Sequence, residues 1–193
     1  MATNTIKAIA VCGLALACVN TAFASVIPEH VMKAYQLGMQ GDQAQNQRAF
    51  NALTEINQNS ANPVVLALLG SAETTQARYT NNPWQKIQFT EQGIAKLSSA
   101  VDQAASLPYP LQARVKVTAG CTFAQVPAMM NRAEQGRYLL NQVIEQTHAF
   151  ASLEPALQAS AYHCAAIAAR SLSENEEAHR FTLLAEEISD QTK

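Results

Sequence analysis

From Pro28 onward the apolar residues recur at spacings of three and four, and no stretch sustains a period-2 alternation of β-branched residues. Such a chain cannot lay one face of a strand against a core, but it can lay one stripe of a helix there. This pattern removes sheet architectures. The punctuation then sets the helix lengths, predicting about eight helices. The first runs from Pro28 to about Gln40, before Gly41-Asp42. The second covers Gln43 to Asn57, with Ala49, Leu53 and Ile56 in line. Pro63 opens a third helix that ends near Tyr79, because proline's missing N–H costs nothing in a first turn. Asn81-Asn82-Pro83 starts a fourth, striped by Ile87, Ile94, Leu97, Val101 and Ala104.

Leu107-Pro108-Tyr109-Pro110 separates the fourth from a fifth helix, which ends by Pro127. A sixth spans Asn131 to Ala149, with Ala133, Leu140, Val143 and Thr147 in line. A seventh runs from Leu153-Glu154-Pro155 to Leu172. Ser173-x-x-Glu176 reads as a capping box for the eighth, which carries Ala178, Phe181, Ala185 and Ile188. The expected fold is all-α: about four antiparallel helical hairpins whose first helices begin near residues 28, 63, 110 and 154. Repeated units of this size are the mark of a helical repeat array. Alanine, with 35 residues, fits close helix packing, and it is densest in the seventh helix.

Residues 1–24 read as a signal peptide: Lys7, an apolar run from Ala8 to Val19, and Ala22-Phe23-Ala24 before the cleavage point. That divides the chain into a signal at 1–24 and a single helical domain at 25–193, periplasmic or secreted. Acylation at Cys18 is the alternative. No later stretch is apolar enough to span a bilayer. The net charge of −2 lacks the basic footprint of a nucleic-acid binder. After cleavage Cys121 and Cys164 are left, an even pair bound for an oxidising compartment.

Motifs for chemistry are missing. There is no G-x-S-x-G, phosphate-binding glycine loop, C-x-x-C or H-E-x-x-H. Glu176 and His179 share a helical face, but a di-iron site needs two such pairs. His163 and Cys164 are adjacent, so on a helix they diverge rather than chelate together. The pairs Met129-Met130 and Met32 with Met39 read as loop and core packing rather than a copper site. Trp84 reads as packing across the start of its helix, with an interface anchor as the alternative. No catalytic residue, metal ligand or obligatory cofactor is expected.

Pro63 to Gly70, PVVLALLG, places Leu66, Leu69 and Gly70 as in the first helix of a tetratricopeptide repeat. Gly41-Asp42, Phe50 and Leu53 match the turn and second-helix positions. Over about residues 34–80 the chain resembles that family, although Asn46 stands where the family usually has Ala. The resemblance implies a right-handed solenoid with a concave groove for a protein or peptide partner. The function expected is thus an exported scaffold or adaptor in the cell envelope. The alternative is a compact helical domain that binds a metal ion or small ligand. Val64, Ala67, Ser71 and Thr74 occupy outward positions in that register and carry no charge. The first helices offer Glu73, Gln76, Arg114, Thr118, Ser160 and His163 as partner-binding candidates.

The cysteines carry a sharper expectation. Cys121 follows Pro110 by about eleven residues and Cys164 follows Pro155 by about nine. If helices five and seven run parallel and adjacent, the thiols sit at similar depth. Small neighbours (Gly120, Ala124, Ala161 and Ala165) would allow the approach a disulfide needs. The alternative is two buried reduced thiols.

Overall fold

Five helices, those starting at Glu29, Pro63, Pro83, Tyr109 and Pro155, begin at or just after a proline. The computed structural model describes residues 27–191. The described residues form nine α-helices: α1 (Glu29–Met39), α2 (Gln43–Asn59), α3 (Pro63–Gln76), α4 (Pro83–Gln103), α5 (Tyr109–Gln125), α6 (Ala133–Ile144), α7 (Thr147–Ala151), α8 (Pro155–Ser171) and α9 (Asn175–Asp190). Two single 3-10 turns, Ala104–Ser106 and Ala128–Met130, follow α4 and α5. There is no strand among the described residues, and the fold is all-α. The expected signal peptide, its cleavage point after Ala24, and Cys18 lie outside the described residues.

Local chemistry explains the boundaries. Asn62 caps α3 by accepting from the Val64 N–H at 2.9 Å, and Asn82 caps α4 by accepting from the Trp84 N–H at 2.9 Å. Gly41, at φ 114°, closes α1. Its N–H donates to Gly38 O and that of Asp42 to Leu37 O, each at 3.1 Å, the paired bonds of a Schellman turn. Asp42 Oδ1 then accepts from the Gln45 N–H at 3.0 Å and opens α2.

Two expected helix boundaries are corrected. Ser173 does not cap α9; the residue before that helix is Glu174, and no side chain caps it. Ser173 instead adopts φ 64° and ends α8. The Ser173 N–H donates to Arg170 O at 3.0 Å and the Glu174 N–H to Ala169 O at 2.9 Å. The backbone needed to terminate α8 leaves the Ser173 side chain out of capping position. The single helix expected from Asn131 to Ala149 is also broken. Gln146, at φ −81° and ψ 61°, separates α6 from α7. The break leaves Thr147 exposed and brings Phe150 inward, 5.2 Å edge-on to Tyr162.

Consecutive helices pack on one another: α1 on α2, α2 on α3, α3 on α4, α5 on α6 and α8 on α9, with α3 against α5 and α5 against α8. Several crossings close on glycine. A Cβ on Gly93 would come 2.0 Å from Thr74 Oγ1 and 2.5 Å from the Gly70 carbonyl. One on Gly136 would come 2.9 Å from the Gly120 carbonyl, and one on Gly38 would come 2.6 Å from Asn46 Cα. Backbone therefore meets backbone at these points, closer than side chains allow.

Two apolar clusters result. One gathers Val31, Leu53, Val65, Leu69 and Leu97; the other Leu140, Val143, Phe150, Ala165 and Phe181. Helix α5 serves both. Val115, Ala119 and Phe123 enter the first, while Ala113 and Val117 enter the second. The most enclosed helix is α3, whose residues Val64, Ala67 and Ser71, expected to face outward, are all buried. A helix apolar on every side belongs among neighbours on every side.

Candidate functional site

The expected partner-binding residues are scattered in environment. Glu73 is buried and forms an ion pair with Lys96, Oε2 to Nζ 2.6 Å. Gln76 is buried too, and its Nε2 has no hydrogen-bond partner among the described residues. Arg114 pairs across α5 and α8 with Glu154 at 3.1 Å. The Thr118 hydroxyl donates to Arg114 O at 2.8 Å, and that of Ser160 to Ala156 O at 2.7 Å. Of the six, Ser160 and His163 are exposed and Arg114 and Thr118 half-buried. Their settings thus run from the buried Glu73 and Gln76 to the exposed Ser160 and His163.

Cys121 and Cys164 meet across α5 and α8. Their sulfurs form a disulfide, with Cα atoms 4.9 Å apart. Cys164 is buried and Cys121 half-buried, so the bond ties the face of α5 to α8 beside the second apolar cluster.

A cleft of about 470 Å³ lies elsewhere, at the end of the molecule where α1, α3 and α5 finish and α4 starts. Met39 ends α1. Thr74, Thr75, Ala77 and Arg78 come from the end of α3, and Pro83, Lys86, Ile87 and Thr90 from the first turns of α4. Thr122, Gln125, Val126, Pro127, Met129 and Met130 come from the end of α5 and the turn after it. Its size falls in the range of small-molecule sites, roughly 300–1,000 Å³.

The walls are mainly apolar and partly soft. Three of the lining residues are methionines, whose unbranched thioether side chains adapt to irregular guests. Met129, in the turn after α5, is 82% exposed and Ile87 37%, so neither is a core residue, while Met130 packs against the first apolar cluster. Ile94 and Leu97 of the expected stripe enter the first apolar cluster, whereas Ile87 lines the cleft. Trp84 does not pack across its helix start; it is 77% exposed.

The polar atoms in the cleft divide sharply. Each threonine hydroxyl donates to the carbonyl four residues earlier: Thr74 to Gly70, Thr75 to Ser71, Thr90 to Lys86 and Thr122 to Thr118, at 2.8–2.9 Å. Their protons are thereby engaged. Beneath the floor, Tyr35 OH donates to Ser71 Oγ at 2.9 Å, linking α1 to α3, and burial raises the Tyr35 phenol above its ordinary value. Thr75 Oγ1 also lies 3.3 Å from Met39 Sδ. The remaining strong donors are Arg78 and Lys86. Arg78 donates to Met39 O at 3.3 Å and Gln125 Oε1 at 3.2 Å, both neutral acceptors. Neither cation meets a carboxylate among the described residues, and no Asp or Glu lines the cleft.

Sequence reasoning missed this site because its parts come from four helix ends. The available signal was the cluster of uncommon apolar residues around helix breaks: Met39 before Gly41, Ile87 after Pro83, and Pro127 with Met129-Met130. No group of three or more His, Cys, Asp or Glu is placed to hold a metal among the described residues, and no helix there is long and apolar enough to cross a membrane. No family model, curated protein or solved structure matches the chain.

Proposed function

We propose that this chain is an exported, non-catalytic binding protein, and that it binds in the cleft between the ends of α1, α3 and α5 and the start of α4. The observation that carries this reading is an apolar hollow walled by Met39, Val126, Met129 and Met130 and open to solvent. Apolar surface left uncovered costs about 25 cal/mol per Å², so a fold that keeps such a hollow gains by filling it. Export to an oxidising compartment is supported by the Cys121–Cys164 disulfide. The neutral fluorophore N-phenyl-1-naphthylamine tests the cleft. One molecule per chain should bind, and Val126→Trp should abolish binding without lowering helix content. Absent binding, or binding unaltered in that variant, contradicts the reading.

A protein-scaffold reading has its own support. The packed pairs α1/α2, α3/α4, α5/α6 and α8/α9 suit a tetratricopeptide-like array, and the same turn geometry closes α1 at Gly41 and α8 at Ser173. The exposed Trp84 is the anchor such a partner would use. Capture of an envelope protein by the chain beginning at Ser25, lost in Trp84→Ala, would favour it. Capture indifferent to Trp84 would not.

A further inference from the structure

We propose that the cleft takes a single-chain anionic amphiphile, its alkyl tail on the methionine walls and its head group between Arg78 and Lys86; this rests on the cleft being the binding site. The argument is one of complementarity. The four threonine hydroxyls have given their protons to their own helices, so they offer a ligand no donor. The strong donors remaining are both cationic, and no acid lines the cleft to compete for them.

The carbonyl ends of α1, α3 and α5 point to this end of the molecule and contribute negative partial charge. Arg78 answers that of α1 by donating to Met39 O. The first turn of α4, which carries Lys86, contributes partial charge of the opposite sign. Two whole positive charges therefore outweigh fractional ones that fade within a turn. A neutral ligand would leave both cations facing an apolar guest, and a cationic one would be repelled. A guanidinium and an ammonium lining one cleft suit an anionic head group, for which the donors of Arg78 would exchange their neutral acceptors, Met39 O and Gln125 Oε1.

Isothermal titration of the chain beginning at Ser25 tests this with dodecanoate and dodecylammonium below their micelle concentrations and dodecanol below its solubility limit. Dodecanoate should bind one per chain, at least about tenfold tighter than dodecanol, and dodecylammonium should not bind. Lys86→Gln should weaken dodecanoate about tenfold and leave dodecanol unchanged. That variant carries the test because the Lys86 ammonium makes no ion pair among the described residues, whereas Arg78 also ties α1 to α5. Equal binding of dodecanoate and dodecanol, or indifference to Lys86→Gln, would overturn the anionic ligand and leave the cleft as a binding site. Failure of all three probes would overturn both.

Discussion

Cys121 on α5 and Cys164 on α8 stand with Cα atoms 4.9 Å apart, joined by a disulfide across 43 residues of sequence. Helix axes usually lie 8–10 Å apart, so both side chains must point into the contact. On the α8 side the neighbours one turn away are small and buried, Ala161 and Ala165, whereas Gly120 opens toward Leu140 and Gly136 of α6.

Closing a loop of this length removes unfolded-state entropy worth about 4 kcal/mol in the chain-entropy model. The double variant Cys121→Ala/Cys164→Ala should therefore unfold at lower urea and lower its Tm by on the order of 10 °C. Equal midpoints for wild type and variant would show that the bond adds nothing.

Gly93 and Gly41 should fail on substitution for different reasons. A Cβ at Gly93 meets Thr74 Oγ1 at 2.0 Å and the Gly70 carbonyl at 2.5 Å, so Gly93→Ala should force α3 and α4 apart and cost about 2–3 kcal/mol. At Gly41 nothing lies within 4 Å, but φ is 114°, so Gly41→Ala should cost only about 1 kcal/mol, through backbone strain. Ser173 holds the equivalent turn at φ 64° with a side chain, and Ser173→Gly should stabilise by about 0.5 kcal/mol. Urea denaturation of the three variants checks both the order and the sign.

How much of this was legible in the sequence follows from range. Helix starts at Pro63, Pro83 and Pro155 depend on a few neighbouring residues, so they can be read directly. The cysteine pairing was legible too, because two proline-marked starts set the depth of both thiols. The break at Gln146 was not: it accompanies the contact of Phe150 with Tyr162, which belongs to another helix. Glu73 and Gln76 looked like groove residues because polar side chains usually face water. Packing on several sides of α3 buried them instead, and Lys96 from α4 supplies the charge partner for Glu73. The cleft was hidden for the same reason, since Met39, Ile87 and Val126 are brought together only by tertiary packing.

Lys96→Met isolates the consequence for Glu73. It leaves a buried carboxylate without its partner, and one-sided removal of such a pair costs about 3 kcal/mol when both members are buried. Lys96 is 34% exposed, so solvent screening reduces the expected loss to about 1–2 kcal/mol. Lys96→Met/Glu73→Met should recover most of it. A double variant no more stable than Lys96→Met would remove the ion pair from the account.

Alkaline pH should weaken the fold. Burial raises the phenols of Tyr35, Tyr109 and Tyr162 above their ordinary value of 10.0. A group raised in the folded state contributes stability that is complete below pH 10 and is lost as pH climbs through the folded value. Urea midpoints should therefore be flat from pH 8 to about 10 and fall above it. Tyr35→Phe should lose about 1 kcal/mol at pH 8, from its bond to Ser71. The same variant should show a shallower alkaline fall; an unchanged fall would place the effect elsewhere.

The most direct measurement is a titration of 13C-methyl-labelled methionine followed by NMR. In the chain beginning at Ser25 the methionines are Met32, Met39, Met129 and Met130, of which the last three line the cleft while Met32 packs against the first apolar cluster. On addition of dodecanoate, the Met39, Met129 and Met130 methyl signals should shift together and saturate at one equivalent, with Met32 unmoved. Shifts confined to Met32, or no shift at any methionine, would contradict binding in the cleft.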